Sequence, residues 1–133
     1  MIVADTNLIA YLLLPGPQTL RARAVFQKDP LWAAPLLWRS EFRNVLALAM
    51  RLQGMVLSDA LRFMQEAEKL LDKQEFTVAS APVLNLAQRS GCAAYDCEFV
   101  HLAQELGVPL VTADQKVLRA FPGTAVSLED FVK

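Results

Sequence analysis

The sequence has few of the residues on which many specialised sites depend. It contains one histidine and two cysteines, Cys92 and Cys97, in 133 residues. A mechanism that needs two histidines is therefore excluded. Two cysteines outside a C-x-x-C pair are also too few for a disulfide framework or a zinc cluster. We expect both thiols to be reduced and the protein to be cytoplasmic.

Excess charge and long apolar runs are also lacking. Lys and Arg number 13 against 14 Asp and Glu, so the net charge of -1 gives no global basic field. No apolar run reaches the ~18 residues of a membrane span. The apolar start lacks a basic region and is interrupted by Asp5, so we predict no signal peptide. The length predicts one domain over 1–133, and a hydrophobic content of 54% leaves apolar surface for a partner.

Short apolar runs alternate with amphipathic segments. We predict strands at "IVAD", "WAAP", "FTVA", "VPLVTAD" and "TAV", with helices between them and a closing helix at "SLEDFVK". One helix extends from about Leu36 to Gln53 and ends at Gly54, and the next has Ser58 as its N-cap. This alternation indicates an α/β fold with a mostly parallel sheet, in which ligands bind beyond the carboxyl ends of the strands.

Two aspartates end two of these strands. Asp5 closes "IVAD" and Asp114 closes "PLVTAD". Because carboxyl ends of parallel strands share one sheet edge, the two carboxylates can meet in one crevice. Each also has an ordinary explanation, as the N-cap of the helix that follows.

Two further acids lie on unexpected helix faces. On a helical wheel, Glu41 borders an apolar stripe that extends from Trp38 to Leu52. Asp96 lies at the edge of a second stripe, which includes Tyr95. Asp96 could simply complement the helix dipole, and Glu41 could pair with an arginine. Taken together, the four acids favour a shared pocket.

Carboxylates gathered in one pocket repel one another unless cations bind between them. Mg²⁺ or Mn²⁺ suits oxygen ligands better than Zn²⁺, for which no histidine or cysteine cluster exists. Two such ions, about 3.5–4 Å apart, can activate a water and stabilise the leaving oxygen of a phosphodiester. The pattern indicates metal-dependent nuclease chemistry.

Four stretches carry a resemblance to a known family. "VADTNLI", "SEFRNVLA", "AAYDCEFVHLA" and "LVTAD" resemble the acidic motifs of PIN domains in their usual order. The length and layout are most similar to VapC-type toxins of toxin–antitoxin pairs. The resemblance implies a three-layer α/β/α fold around a parallel sheet and a metal-dependent endoribonuclease. Its acidic quartet would be Asp5, Glu41, Asp96 and Asp114, with one or two Mg²⁺ or Mn²⁺ ions. It also implies an RNA substrate, a homodimer and a cognate antitoxin whose C-terminal segment covers the site.

Uncharged and basic residues complete the predicted site. By the same resemblance, the residues that orient carboxylates or the attacking water are Thr6, Asn7 and Thr112. Glu98 lies in an acidic motif but on the outer helix face, so we leave it out as peripheral. The candidates for contact with substrate phosphate are Arg39, Arg43, Arg89 and Lys116.

Three other functions stay open. Cys97 and His101 are spaced as a nucleophilic pair, although they are predicted to face away from the crevice. Asp5 after a first strand also suits a phosphoryl-transfer domain that forms an aspartyl phosphate, but "DTN" lacks the second aspartate of the phosphatase motif. The third alternative is a catalytically inactive PIN-like module that only binds protein or RNA.

Overall fold

Strands and helices alternate along the whole chain, as the sequence predicts. The structure is a computed structural model that describes all 133 residues. The strands are Ile2–Ala4 (β1), Trp32–Pro35 (β2), Glu75–Phe76 (β3), Leu110–Val111 (β4) and Ala125–Val126 (β5). The helices are Thr6–Leu13 (α1), Thr19–Lys28 (α2), Trp38–Gln53 (α3), Leu57–Leu70 (α4), Ser80–Ser90 (α5), Ala94–Leu106 (α6), Gln115–Ala120 (α7) and Leu128–Val132 (α8).

The five strands form one parallel sheet in the order β3-β2-β1-β4-β5. Val3 of the central strand is in register with Ala33 of β2 on one side and with Leu110 of β4 on the other. The strand order reverses between β1 and β4, because the chain first builds the sheet toward β3 and then returns to the other side. Such a reversal opens a crevice beyond the carboxyl ends of the two strands.

Helices cover both faces of the sheet. Crossovers between parallel strands are right-handed, so a change in direction along the sheet moves the connecting helix to the opposite face. Helix α1, which follows β1, contacts α2, α3 and α4. Helix α6, which belongs to the return from β3 to β4, packs on β1, β2 and β4 and against α5. The predicted three-layer α/β/α architecture is confirmed.

The core is one cluster of 30 buried hydrophobic residues. All three residues of β1 are fully buried, which explains why this strand is uniformly apolar rather than alternating. Trp38 and Phe42 bury the inner face of α3. These two side chains hold α3 against the core and fix which of its other residues face the crevice.

Several predicted boundaries are wrong, and the strand predicted at "VPLVTAD" comprises only Leu110–Val111. Ser58 lies inside α4, whose N-cap position is Val56, because the Val56 carbonyl already accepts a hydrogen bond from the Ala60 amide at 3.1 Å. The strand predicted at "FTVA" begins and ends earlier, as Glu75–Phe76, since only these two residues pair with β2. The predicted end of α3 is confirmed: Gly54 adopts φ 70°, a left-handed conformation that glycine tolerates.

Three predicted side-chain orientations are also wrong. Leu52 and Tyr95, assigned to apolar stripes, are 78% and 55% exposed. Cys97, predicted on an outer face, is fully buried. Its sulfur lies 4.0 Å from the hydroxyl of Ser90 at the end of α5. Because α6 packs against both α5 and the sheet, its buried face is wider than one stripe. No helix is both long and apolar enough to cross a membrane.

Candidate active site

Asp5 stands directly after β1, and each of its carboxylate oxygens has a fixed partner. The amide of Leu8 donates to Oδ1 at 2.8 Å, so Asp5 is the N-cap of α1. The hydroxyl of Thr112, at the end of β4, donates to Oδ2. The predicted capping role is therefore confirmed, and the same interactions hold the carboxylate at the mouth of the crevice.

Asp114 repeats this arrangement at the neighbouring strand end. Its Oδ1 accepts a hydrogen bond from the Val117 amide at 3.1 Å and caps α7. Its own amide donates to Oγ1 of Thr112 at 3.0 Å. Thr112, only 1% exposed, therefore links Asp114 to Asp5 through one hydroxyl group. These hydrogen bonds support the positioning role that we predict for Thr112.

Glu41 and Asp96 reach the crevice from helices on either side. Glu41 lies in the first turn of α3, where its Oε1 accepts a 2.7 Å hydrogen bond from the hydroxyl of Thr6. Asp96 lies in the first turn of α6, at the positive end of the helix dipole. Both carboxylates are partly buried. The hydrogen bond to Glu41 supports the positioning role that we predict for Thr6.

The four carboxylates line one cavity of about 250 Å³ at the reversal of strand order. Thr6, Asn7 and Thr112 line the same cavity. Its walls contain no lysine, arginine or histidine. Residues that lie up to 109 positions apart in the sequence thus create a small cleft whose only charged side chains are acidic.

The negative charges in this cleft are poorly compensated. Burial raises the pKa of Asp5 to about 6; the Thr112 and Leu8 hydrogen bonds lower it, and the charges of Asp114 and Glu41 raise it further. Burial also raises the pKa of Glu41 and of Asp96, and neighbouring carboxylates add to both shifts. The pKa values of Asp5, Glu41 and Asp96 are therefore each raised in part by the charge of another acid in the cleft.

A divalent cation is the group that such a cleft would accept. Carboxylates that repel one another in a partly buried site favour an oxygen-preferring ion such as Mg²⁺ or Mn²⁺. No three His, Cys, Asp or Glu side chains are arranged to hold one ion among them. The donor set therefore fits a hydrated cation bound through one or two carboxylates, the usual mode for Mg²⁺.

The four predicted basic residues differ in position. The Nζ of Lys116 donates to the carbonyl oxygen of Gly91 at 2.9 Å. Its positive charge offsets part of the raised pKa of Asp96, so Lys116 lies near the cleft. Arg43 and Arg89 are exposed and do not line the cavity. The prediction for Arg39 is wrong, because its guanidinium group binds both oxygens of Glu75 at 2.6 and 2.8 Å and Glu68 at 2.8 Å. Arg39 is thus occupied within the fold.

The remaining side chains of α6 clarify two other predictions. Glu98 does not line the cavity, but it is partly buried rather than solvated, and its charge raises the pKa of Glu41. The proposed Cys97–His101 pair is ruled out by geometry: Cys97 is fully buried against α5, whereas His101 contacts Glu105 at 3.3 Å on the surface. No cysteine–histidine nucleophile exists at this helix.

Sequence reasoning missed one polar residue of the cavity. Asn44 lines the cleft one helical turn after Glu41. The spacing of three residues was the available indication, since positions i and i+3 share a helix face. Asn7 also lines the cleft, where its side chain is exposed and makes no hydrogen bond to a carboxylate, so its predicted role in orienting water stays a prediction.

Carboxylates from two strand ends and two helices thus lie beside the central strand of an α/β/α sandwich, the arrangement that the resemblance to PIN domains leads one to expect. The resemblance to VapC-type PIN proteins is confirmed by a relative, Ribonuclease VapC3 of Pyrobaculum aerophilum. The two sequences are 28% identical over an alignment of 130 residues, and the alignment covers 91% of this chain and 95% of the relative. No protein-family model matches the chain.

Solved structures agree on the fold. PAE2754 from Pyrobaculum aerophilum superposes with a TM-score of 0.76 at 21% identity, over 98% of this chain and 85% of that one. FitAcB from Neisseria gonorrhoeae gives a TM-score of 0.70 at 19% identity, over 97% and 99% of the two chains. FitAB bound to an IR36 DNA fragment gives 0.70 at 20% identity, over 96% and 95%.

Proposed function

We propose that this protein is a metal-dependent endoribonuclease and the toxin of a toxin–antitoxin pair. The observation that carries the proposal is the convergence of four carboxylates in one cleft whose walls contain no cationic side chain. The similarity of the protein to Ribonuclease VapC3 along nearly the whole chain supports RNA as the substrate class.

The chain itself provides positioned oxygen atoms for this chemistry. Asp5 and Asp114 are fixed by cap hydrogen bonds and by the shared hydroxyl of Thr112, so neither must reorganise when a cation enters. A bound Mg²⁺ or Mn²⁺ supplies Lewis acidity toward water and the scissile phosphate. The protein contributes geometry, since fixed ligands hold reacting groups in line without further loss of entropy.

Glu41 and Asp96 are assigned to the other walls of the cleft. Because Thr6 occupies only Oε1 of Glu41, the second oxygen remains free to accept a hydrogen bond from water or to bind the cation. Asp96 faces the same space from α6. Together they would complete the predicted quartet, with Asp5, Glu41, Asp96 and Asp114 as catalytic and metal-binding residues.

Partner proteins are part of the same proposal. We propose a homodimer and a cognate antitoxin that covers the cleft, in a cytoplasmic protein of one domain. A corner of exposed apolar side chains supports a protein-binding surface. It is formed at the end of α3 and the start of α4 by Leu48, Leu52, Val56, Leu57 and Leu61. Both cysteines are free thiols, in keeping with a reducing compartment.

The test of this function is cleavage of RNA by the purified protein. Structured RNAs are incubated with the protein in Mg²⁺, in Mn²⁺ and in excess EDTA, and internal cleavage is followed on denaturing gels. We expect cleavage with either ion and none with EDTA. Cleavage that survives EDTA would contradict the metal dependence, and the absence of cleavage with both ions would contradict the nuclease assignment.

A further inference from the structure

The cleft has an uncharged side that the nuclease proposal does not use. Asn7 lies next to Thr6 at the start of α1, and Asn44 lies one turn beyond Glu41 on α3. Because Thr6 donates its 2.7 Å hydrogen bond to Glu41, these two helix segments are joined, and the asparagines flank the junction. Both amides line the cavity.

These two amides serve no visible purpose within the fold. Both side chains are exposed and have no hydrogen-bond partner in the chain. Asparagine is a poor residue for a helix interior, because its side chain competes for backbone hydrogen bonds in other conformations. Asn44 therefore weakens the local helix preference of α3 without a packing or hydrogen-bonding benefit. Its position and unpaired amide point to a ligand.

The chemistry of the cleft restricts that ligand. An amide both donates and accepts hydrogen bonds, whereas phosphate oxygens only accept them, and in the proposed site the scissile phosphate belongs with the cation at the carboxylates. A ribose 2′-hydroxyl also donates and accepts, and it distinguishes RNA from DNA. The cavity, at about 250 Å³, lies below the range typical for free small-molecule ligands. It therefore suits one sugar unit of a longer chain.

We propose that Asn44, together with Asn7, binds the ribose 2′-hydroxyl beside the scissile phosphate and gives the site its preference for RNA over DNA. This inference rests on the proposed nuclease function, because it places the scissile phosphate at the acidic side of the same cleft. It assigns Asn44 to substrate recognition rather than to metal binding.

The test compares RNA with DNA of the same sequence. A pool of single-stranded RNA oligonucleotides and the matched DNA pool are titrated against the wild type, Asn44→Ala and Asn7→Ala in Ca²⁺, followed by fluorescence anisotropy. Asn85→Ala is the matched control, since Asn85 is an exposed helical asparagine outside the cavity. Mn²⁺ affinity of each variant is measured by calorimetry, and thermal unfolding verifies that each variant is folded.

We expect Asn44→Ala to bind the RNA pool roughly tenfold more weakly, in line with the loss of one hydrogen bond. Its DNA affinity and Mn²⁺ affinity should be unchanged, and Asn85→Ala should match the wild type in every measurement.

Three results would overturn the inference. They are equal losses of RNA and DNA affinity in Asn44→Ala, a parallel loss of Mn²⁺ affinity, or RNA binding as strong as that of Asn85→Ala. If the wild type cleaves no RNA but Asn44→Ala still loses RNA affinity selectively, the nuclease proposal is contradicted, and only the contact between Asn44 and the ribose 2′-hydroxyl is supported. If the wild type cleaves RNA but Asn44→Ala keeps the full RNA preference, the nuclease proposal is supported and the role of Asn44 in RNA recognition is contradicted.

Discussion

The hydroxyl of Thr6 donates a 2.7 Å hydrogen bond to Oε1 of Glu41 across 35 positions of sequence. This contact joins α1, which follows the central strand, to the first turn of α3. Thr6 is buried and so has little freedom to turn away from its partner. The orientation of Glu41 in the cleft therefore depends on a residue next to Asp5.

Replacing Thr6 should reduce cleavage by releasing Glu41. We expect Thr6→Val, which keeps the shape but lacks the hydroxyl, to lower kcat for RNA cleavage about tenfold, in line with the loss of one charge-assisted hydrogen bond. Thr6→Ser restores the donor and should recover most of the activity. Equal activity in Thr6→Val and the wild type would show that Glu41 needs no such support.

Replacing Asp5 should stabilise the cation-free protein. The pKa of Asp5 lies at about 6 in the fold against an ordinary value of 3.8. As the pH rises through this window, the unfolded chain loses its proton first, so burial of Asp5 lowers the free energy of unfolding increasingly. Asparagine avoids this penalty and still caps α1.

We therefore expect Asp5→Asn, in EDTA at pH 7, to raise the free energy of unfolding by about 1–2 kcal/mol in urea titrations. The difference from the wild type should shrink below pH 6 and vanish near pH 4. A variant that is less stable than the wild type at pH 7 would show that the Thr112 hydrogen bond outweighs the burial of charge. In the same variant, metal-dependent RNA cleavage should be abolished.

The contact between Arg39 and Glu75 should make stability depend on pH in the opposite sense. The Arg39 guanidinium hydrogen bonds lower the pKa of Glu75 below its ordinary value of 4.5. The stabilisation is therefore present above pH 4.5 and is lost as the pH falls through the lower pKa of the folded state. Glu75→Gln should cost about 1–2 kcal/mol at pH 7, because the charged hydrogen bonds to Arg39 weaken.

Urea titrations between pH 3 and pH 7 check this prediction for Glu75. The control is Glu66→Gln, which removes only an exposed contact with Arg62 and should change stability by no more than about 0.5 kcal/mol. A constant difference between Glu75→Gln and the wild type down to pH 3 would mean that the lowered pKa of Glu75 does not contribute.

Lys116 should bind substrate phosphate near the cleft. It lies two residues after Asp114, and its charge acts on Asp96. We expect Lys116→Ala to weaken RNA binding and to reduce the slope of log affinity against log salt by about 1, as for one lost phosphate contact. Lys69→Ala, on exposed surface of α4, is the control. An unchanged salt slope in Lys116→Ala would remove Lys116 from the RNA path.

Local sequence patterns predicted the parts of this fold that depend on local rules. The apolar run of β1, the aspartates that cap α1 and α7, and the glycine that ends α3 each express a preference of a few adjacent residues. Asp5 and Asp114 were placed together because parallel strands share an edge.

The wrong predictions concern side chains whose burial or binding partner depends on segments that are distant in the sequence. Cys97 is buried because α5 packs beside α6. The guanidinium group of Arg39 binds Glu75, which lies 36 residues further along the chain. Neither contact leaves a periodic pattern in the sequence. Asn44 was overlooked since an exposed asparagine on a helix looks like an ordinary surface residue until the cavity beside Glu41 is known.

The central claim is that the four carboxylates act together in metal-dependent cleavage of RNA. Its most direct test is the rate of RNA cleavage in Mn²⁺ by Asp96→Asn, compared with Glu105→Gln, which changes an exposed acid on the same helix outside the cleft. We predict that Asp96→Asn folds normally but loses cleavage, whereas Glu105→Gln cleaves at the wild-type rate. Full activity in Asp96→Asn would contradict the claim.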